Sequence, residues 1–175
     1  MVCPNAPTRL ETDRLVLRAP AHSDAPRIAA LANDFDVARM TTAIPHPFDL
    51  SDAADFLVRM KDEPGQPLFA VEAPGEGLIG LVGLHPNERN DLEIGYWLGR
   101  AYWGAGYMTE AVRAAVAWAA GTCGRRTLFS GHFADNEASG RVLCKADFLY
   151  TGEIRTRFSM ARDARAPTRM MVWLA

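Results

Sequence analysis

The sequence predicts one α/β domain built on a mixed sheet, and three observations carry that prediction. Segments of strand length and segments of helical period follow one another as strand, helices, three strands, helix, strand, helix and two strands. The three central strands meet through connections of hairpin type. The chain has 175 residues, 49% of them hydrophobic, which is material for one domain with a real core.

Taken in order, residues 1–8 read as a loose tail and residues 9–175 as the domain. Arg14 to Ala19 alternates Leu15 and Leu17 with Arg14, Val16 and Arg18, a first strand. Ser23 is the expected cap of a helix ending near Asn33, with Pro26 tolerated in its first turn. Residues 33–50 hold a short helix and a proline-rich loop. Ser51 is the expected cap of a helix from Asp52 to about Lys61, whose apolar face is Ala53, Phe56, Leu57 and Met60, and Pro64-Gly65 breaks it. Strands follow at Leu68–Ala73, Leu78–Leu84 and Leu92–Leu98, joined through Pro74–Gly77 and Pro86–Asp91. After a long helix come a strand at Thr127–Phe133, a short helix at Glu137–Lys145 and closing strands at Phe148–Phe158 and Thr168–Leu174. The segment ARDARAP between the last two reads as a mobile loop.

The stretch from Leu92 to Val116 organises the rest. Met108, Val112, Ala115, Val116 and Ala119 form the stripe of a helix with one buried face. Ahead of it lies Trp103-Gly104-Ala105-Gly106-Tyr107, whose glycines let backbone approach a ligand closely. A helix N-terminus behind such a loop offers unpaired N–H groups and a positive dipole end, an anion site most often used for phosphate. The other reading is a tight strand-to-helix turn. The dinucleotide fingerprint needs a third glycine where Thr109 stands, and the nucleoside-triphosphate loop needs a Gly-Lys-Ser/Thr ending that is absent.

EIGYWLGRAYWGAGYMTEAV resembles the central motif of the GNAT acetyltransferases, specifically the RimJ/RimL-type branch. RLETDRLVLRAP, LIGLVGL and NEASGRVLCKADF fit the same branch in the right order, so the resemblance spans roughly residues 9 to 155. It implies a GNAT-like fold: a mostly antiparallel mixed sheet with helices on both faces, splayed between the strands at 92–98 and 127–133. It implies acetyl-coenzyme A as co-substrate, its pyrophosphate on the backbone of Trp103, Gly104, Ala105, Gly106, Tyr107, Met108 and Thr109 and its pantetheine arm in the splay. The reaction implied is direct acetyl transfer to a primary amine, either a protein N-terminus or a small molecule.

That reaction needs a neutral amine, a stabilised oxyanion and a proton for the thiolate. With amine pKa values of about 8 to 10, a base is required near neutral pH. The resemblance makes Glu93 the first candidate; a solvent-facing strand glutamate is the alternative. Oxyanion donors are implied at a bulge near the N–H groups of Trp97 and Leu98. Asp135, Asn136 and Ser139 read locally as helix-start residues. The resemblance gives Asn136 to the pantetheine arm and Ser139 to the sulfur or the phosphates. Arg141 and Lys145, one turn apart, face either the 3′-phosphate or solvent. The usual tyrosine acid falls at Leu143, leaving Ser139, Tyr150 or water as proton donor. Ala105 replaces a commonly basic residue, Met108 a small one that keeps the pyrophosphate uncrowded, and Asp147 the usual glycine before Phe148.

With 19 basic and 21 acidic side chains and net charge -2, nucleic acid and anionic membrane are not expected partners. No apolar run approaches a membrane span, MVCPNAPTRL lacks a signal-peptide core, and a cytoplasmic location is expected. Three cysteines lack metal spacing, no metal is expected, and Cys123 and Cys144 read as small buried hydrophobes. Of four histidines only His132 falls in the presumed cleft, and a structural role is the simpler reading. Asp34, Asp36 and Asp49, with Phe35 and Phe48, suit a cationic acceptor, or equally a solvated loop. A homodimer is left open. The alternative to an enzyme is a coenzyme A-binding module without turnover.

Overall fold

Two short strands, β1 (Leu10–Glu11) and β2 (Val16–Arg18), lead into helices α1 (Ala25–Ala32), α2 (Phe35–Ala38) and α3 (Leu50–Lys61). Strands β3 (Leu68–Ala73), β4 (Gly77–Pro86) and β5 (Leu92–Leu98) precede α4 (Tyr107–Thr122). Then come β6 (Thr127–Phe133), α5 (Glu137–Lys145), β7 (Leu149–Ser159) and β8 (Ala164–Leu174). The computed structural model describes residues 9–61 and 65–175; the expected tail at 1–8 and Pro64 of the helix break lie outside them. The described strands make one eight-stranded sheet in the order β1-β2-β3-β4-β5-β6-β8-β7. The fold class is the mixed, mostly antiparallel sheet that the sequence pattern and the resemblance implied.

The core divides between the two faces of this sheet. On one face α4 buries the stripe read from its period, with Val112, Ala115 and Ala119 at 0% exposure, against Ile79, Ile94, Leu98, Leu128 and Met171. On the other, Ile28 and Ala32 of α1 and Ala53 and Leu57 of α3 pack on Leu68, Ala70 and Leu81. Each fully buried aliphatic side chain of this kind contributes roughly 1.5–3 kcal/mol.

Several boundaries differ from the sequence reading for local reasons. Ser23 lies inside a 3-10 turn (His22–Asp24), and α1 begins after Asp24, whose carboxylate takes two bonds from Arg18 and one from the Ala21 N–H. Helix α3 starts one residue before Ser51, because Asp49 and Asp52 cap it reciprocally through each other's backbone N–H. The mobile loop expected at ARDARAP is mostly strand. β7 and β8 pair down to Ser159–Ala164, so only residues 160–163 turn. Cys123 is buried, but Cys144 is exposed on α5, against expectation.

One pairing positions the site. β5 and β6 are parallel, and their only registered pair is Glu93–Phe129. Beyond it Ser130 Oγ still reaches the Ile94 carbonyl at 2.9 Å, and then the strands part. On its other side β5 pairs with β4 without a shift from Pro86–Leu92 to Gly80–Leu98. The gap therefore comes from the divergence of β6 and not from a bulge in β5.

Candidate active site

The gap opens toward two helix starts. Gly104 and Gly106 have φ of 79° and 80°, left-handed values that glycine adopts without steric cost. Gly106 caps α4, whose first internal bond runs from Glu110 N to Gly106 O. The N–H groups of Tyr107, Met108 and Thr109 lie ahead of that bond at the positive end of a 16-residue helix. Met108, which raised the prospect of crowding, turns into the core and is 5% exposed. Ala105 is exposed, and Trp103, half exposed, donates its indole Nε1–H to the Leu98 carbonyl at 2.7 Å.

The loop is held from behind by the chain's start, an anchor the sequence reading missed. Arg14 donates to Ala105 O at 2.9 Å and to Glu110 Oε2 at 2.8 Å, and lies over the Tyr107 ring. Thr12 Oγ1 and the Arg14 N–H donate to Glu110 Oε1. Burial pushes the Glu110 carboxyl up, but bonds from Thr12 and Arg14 outweigh it and hold it below the usual range. A depressed carboxyl contributes stability that is complete above its unfolded pKa of about 4.3 and is lost as pH falls through the folded value. Glu110→Gln is therefore expected to lower the melting temperature at pH 7 and to flatten its fall below pH ~4. Parallel melting curves for both proteins across that range check this.

Strand alternation sorts β5 into two functional edges and two faces. Ile94 and Leu98 offer their carbonyls to Ser130 and Trp103, while the Gly99 N–H bonds to Ile79 O on β4. Ile94, Tyr96 and Leu98 thus turn their backbone groups to the gap, and Trp97, level with Leu81, turns its own to β4. The Trp97 N–H, expected to face the gap, is turned to β4, and the N–H groups on the gap side are those of Tyr96 and Leu98. Side chains divide likewise: Ile94, Tyr96 and Leu98 join the core under α4 and α5, and Trp97 packs on the α1–α3 side. Glu93 and Gly95 share the Trp97 face.

Tyr96 crosses the gap to α5. Its hydroxyl lies 2.8 Å from Ser139 Oγ and 3.1 Å from Ser139 O. Burial pushes its phenol well up, so it stays protonated throughout the working range. Asn136 caps α5 by accepting from the Ser139 N–H at 3.2 Å. Sequence reasoning singled out Asn136 and Ser139 at this helix start, but not Tyr96. The available signal was its alternation with Ile94 and Leu98, which assigns it to the helix-covered face.

Glu93 is 4% exposed and meets Arg157 of β7 through two bonds, 2.5 Å and 2.9 Å. Its hydrogen bonds to Glu93 outweigh partial burial and raise the guanidinium's pKa. The solvent-facing alternative for Glu93 does not hold; the carboxylate sits where the strands begin to part.

Other candidates lie apart. Arg141, two residues past Ser139 and so turned about 200° from it, is exposed and pairs with Glu137. It lines a cavity of about 370 Å³ with His132, Gly140, Cys144, Tyr150 and Arg169. His132 is hydrogen-bonded at both ring nitrogens, Nδ1 to Phe133 O at 2.8 Å and Nε2 to the Tyr150 hydroxyl at 3.0 Å. Leu143 is fully buried core. Among the described residues, no cluster of His, Cys, Asp or Glu is placed to hold a metal, and no helix is long and apolar enough to cross a membrane.

The acids of the 33–50 segment are occupied. Asp34 accepts from the Asp36 N–H and lies 3.9 Å from Arg100; Asp36 meets Arg100 at 2.8 Å and Arg39 at 3.1 Å; Asp49 caps α3. Arg162, in the β7–β8 turn, donates to Arg39 O and binds Asp135 at 2.8 Å, and the Met160 N–H bonds Thr42 O. The α2 segment is thereby pinned to both walls of the gap, at Arg100 after β5 and at Asp135 after β6.

Known proteins share this fold. Residues 14–149 match the family model described as Acetyltransferase (GNAT) domain. The uncharacterized N-acetyltransferase YoaA of Bacillus subtilis (strain 168) is 28% identical over 151 residues, 83% of this chain and 85% of that protein. The ribosomal-protein-S5-alanine acetyltransferase of Vibrio fischeri superposes with a TM-score of 0.79 at 20% identity, covering 96% of this chain and 97% of its own. The microcin C7 self-immunity acetyltransferase MccE, solved with acetyl-CoA and AMP, gives a TM-score of 0.78 at 17% identity over 94% of each chain. With the family model running from the Arg14 anchor, through the glycine loop and the gap, to the first residue of β7, this chain belongs to the GNAT acetyltransferases.

Proposed function

We propose that this chain moves the acetyl group of acetyl-coenzyme A directly to a primary amine, as an N-acetyltransferase of the RimJ/RimL type. The observation that carries the reading is the single β5–β6 pair at Glu93–Phe129, with the gap beyond it opening onto the glycine-fronted start of α4. The pyrophosphate rests on the N–H groups from Gly104 to Thr109, where a helix dipole favours an anion. The pantetheine arm runs down the gap past Trp103 and Asn136. The thioester oxygen meets the N–H groups of Tyr96 and Leu98, which face the gap without a strand partner there. Arg141 takes no part at the reacting end.

The amine approaches from the face that carries Glu93. Each Glu93 oxygen uses one lone pair on Arg157 and keeps another, through which it removes the amine proton directly or by way of one water. The amine nitrogen then bonds to the carbonyl carbon, and the carbon–sulfur bond breaks with its electron pair on sulfur. The nitrogen gives its remaining surplus proton to water, and the thiolate takes a proton whose donor recovers one from solvent. Ser139 is the donor, with Tyr96 behind it. When Tyr96 donates to Ser139 Oγ, the serine proton is free to turn to the sulfur; when Tyr96 donates to Ser139 O, that proton is spent on Tyr96.

Thiol release from acetyl-coenzyme A across a panel of primary amines tests the activity. Tyr96→Phe tests the relay: kcat is expected to fall about tenfold, the worth of ~1.4 kcal/mol, with KM for acetyl-coenzyme A within about twofold. Binding without thiol release for any amine favours a coenzyme A-binding module instead. An unchanged kcat in Tyr96→Phe removes the relay.

A further inference from the structure

An ammonium that becomes an amide gives up two protons, one before the nitrogen attacks and one after. Glu93 takes the first, and as a neutral carboxylic acid it is then far too weak a base to take the second. The second matters because a nitrogen that keeps it can leave again, returning amine and thioester. A base beside the nitrogen at that moment commits the adduct to product.

His85, which the sequence reading placed outside the cleft, lies beside this point. β4 runs on to Pro86, and His85 stands directly opposite Glu93 in the β4–β5 register. Such pairs share one face of the sheet, with Cβ atoms about 4.5–5.5 Å apart. The next pair on that face is Gly83–Gly95, and neither brings a side chain. The His85 ring leans into the opening: a Cβ on Gly95 would lie 3.4 Å from its Nε2 and 4.0 Å from its Cδ2. Nε2 therefore rests over the residue before Tyr96, whose N–H faces the gap. Gly131, two residues past the β6 partner of Glu93, leaves the same level of the sheet open across the gap.

The ring is set to accept a proton. Nδ1 lies 3.4 Å from the Pro86 carbonyl, which can only receive a hydrogen bond, so the neutral ring carries its proton on Nδ1. Nε2 keeps its lone pair, and among the described residues no hydrogen bond occupies it. On the reading that the amine approaches from the face of Glu93, we infer that His85 is a second catalytic base. Once the nitrogen has bonded to the carbonyl carbon it carries a positive charge. His85 Nε2 takes one N–H proton, the bonding pair stays on nitrogen, and the carbon–sulfur bond then breaks. The ring is half-buried, so the imidazolium hands its proton on to water, and the surplus proton reaches solvent through His85.

The experiment follows amide formation with the fastest primary amine of the thiol-release panel, in the wild type, His85→Gln and His85→Ala. Glutamine keeps a hydrogen-bonding group near the place of Nε2 but is no base at neutral pH. Both variants are expected to lose at least about tenfold in kcat, with KM for acetyl-coenzyme A within about twofold and melting temperatures within a few degrees of wild type. Added imidazole should raise the rate of His85→Ala several-fold, leave its melting temperature unchanged and do nothing for the wild type. A kcat in His85→Gln within about twofold of wild type overturns the inference while acetyl transfer stands. A loss in His85→Ala that imidazole does not relieve overturns it too. A wild type that acetylates no amine removes acetyl transfer, and this role with it.

Discussion

Gly106→Val is expected to abolish the rise in melting temperature that acetyl-coenzyme A gives the wild-type protein. Gly106 caps α4 at φ 80°, and a β-branched residue there pays the left-handed penalty of about 1–2 kcal/mol. A Cβ at this position would lie 3.4 Å from Arg14 Nη2, the end of a flexible side chain, so the fold has room for a Cβ. The backbone has less freedom: the loop must either hold the strained geometry or re-aim the N–H groups that follow it. At a ligand concentration of about 100 times Kd, wild-type stabilisation is about 2.7 kcal/mol, a rise of roughly 5–10 °C for a domain of this size. The unliganded mutant should melt only a few degrees lower, which separates a lost site from a lost fold. A full ligand shift in the folded mutant would mean that the loop is only a turn.

The second large effect is expected at Glu93. Glu93→Gln should lower the acetylation rate at neutral pH by roughly a hundredfold or more, the usual worth of a positioned base, with coenzyme A affinity nearly unchanged. As pH approaches the acceptor's own pKa, free amine forms without help and the deficit should shrink. The ion pair supplies the control. If Glu93 only anchors Arg157, then Glu93→Gln and Arg157→Gln should resemble one another, with lower melting temperatures and small, pH-independent rate changes. If Glu93 is the base, Arg157→Gln loses stability and keeps most of the rate, because the carboxylate remains. An unchanged rate in stably folded Glu93→Gln removes Glu93 from the chemistry and leaves the ion pair as its whole role.

Local features were legible because they depend on near neighbours. The period from Met108 to Ala119 gave the buried face of α4, and every residue of that stripe is buried. The spacing of Gly104 and Gly106 ahead of it gave a left-handed loop at a helix start, because only backbone sterics decide that conformation. Asn136 was legible as a cap for the same reason, since its partner, the Ser139 N–H, lies three residues away. The acidic segment was misleading. Asp34, Asp36 and Asp49 look like a cation site in a string of letters, yet two of them meet Arg100 and the third caps α3.

The sequence by itself therefore determined the sheet-and-helix order, the glycine loop at the start of α4 and the family to which these belong. Only the tertiary structure decided how the candidate site is wired. Arg157 lies 64 positions from Glu93, Ser139 lies 43 from Tyr96, and Glu110 lies 96 from Arg14. No periodicity records such pairs, because each forms only after the sheet has set strand order and register. The free N–H groups at the gap have the same origin. They follow from where β6 stops pairing with β5, and that is set by packing on both faces of the sheet, not by any residue of β5 alone.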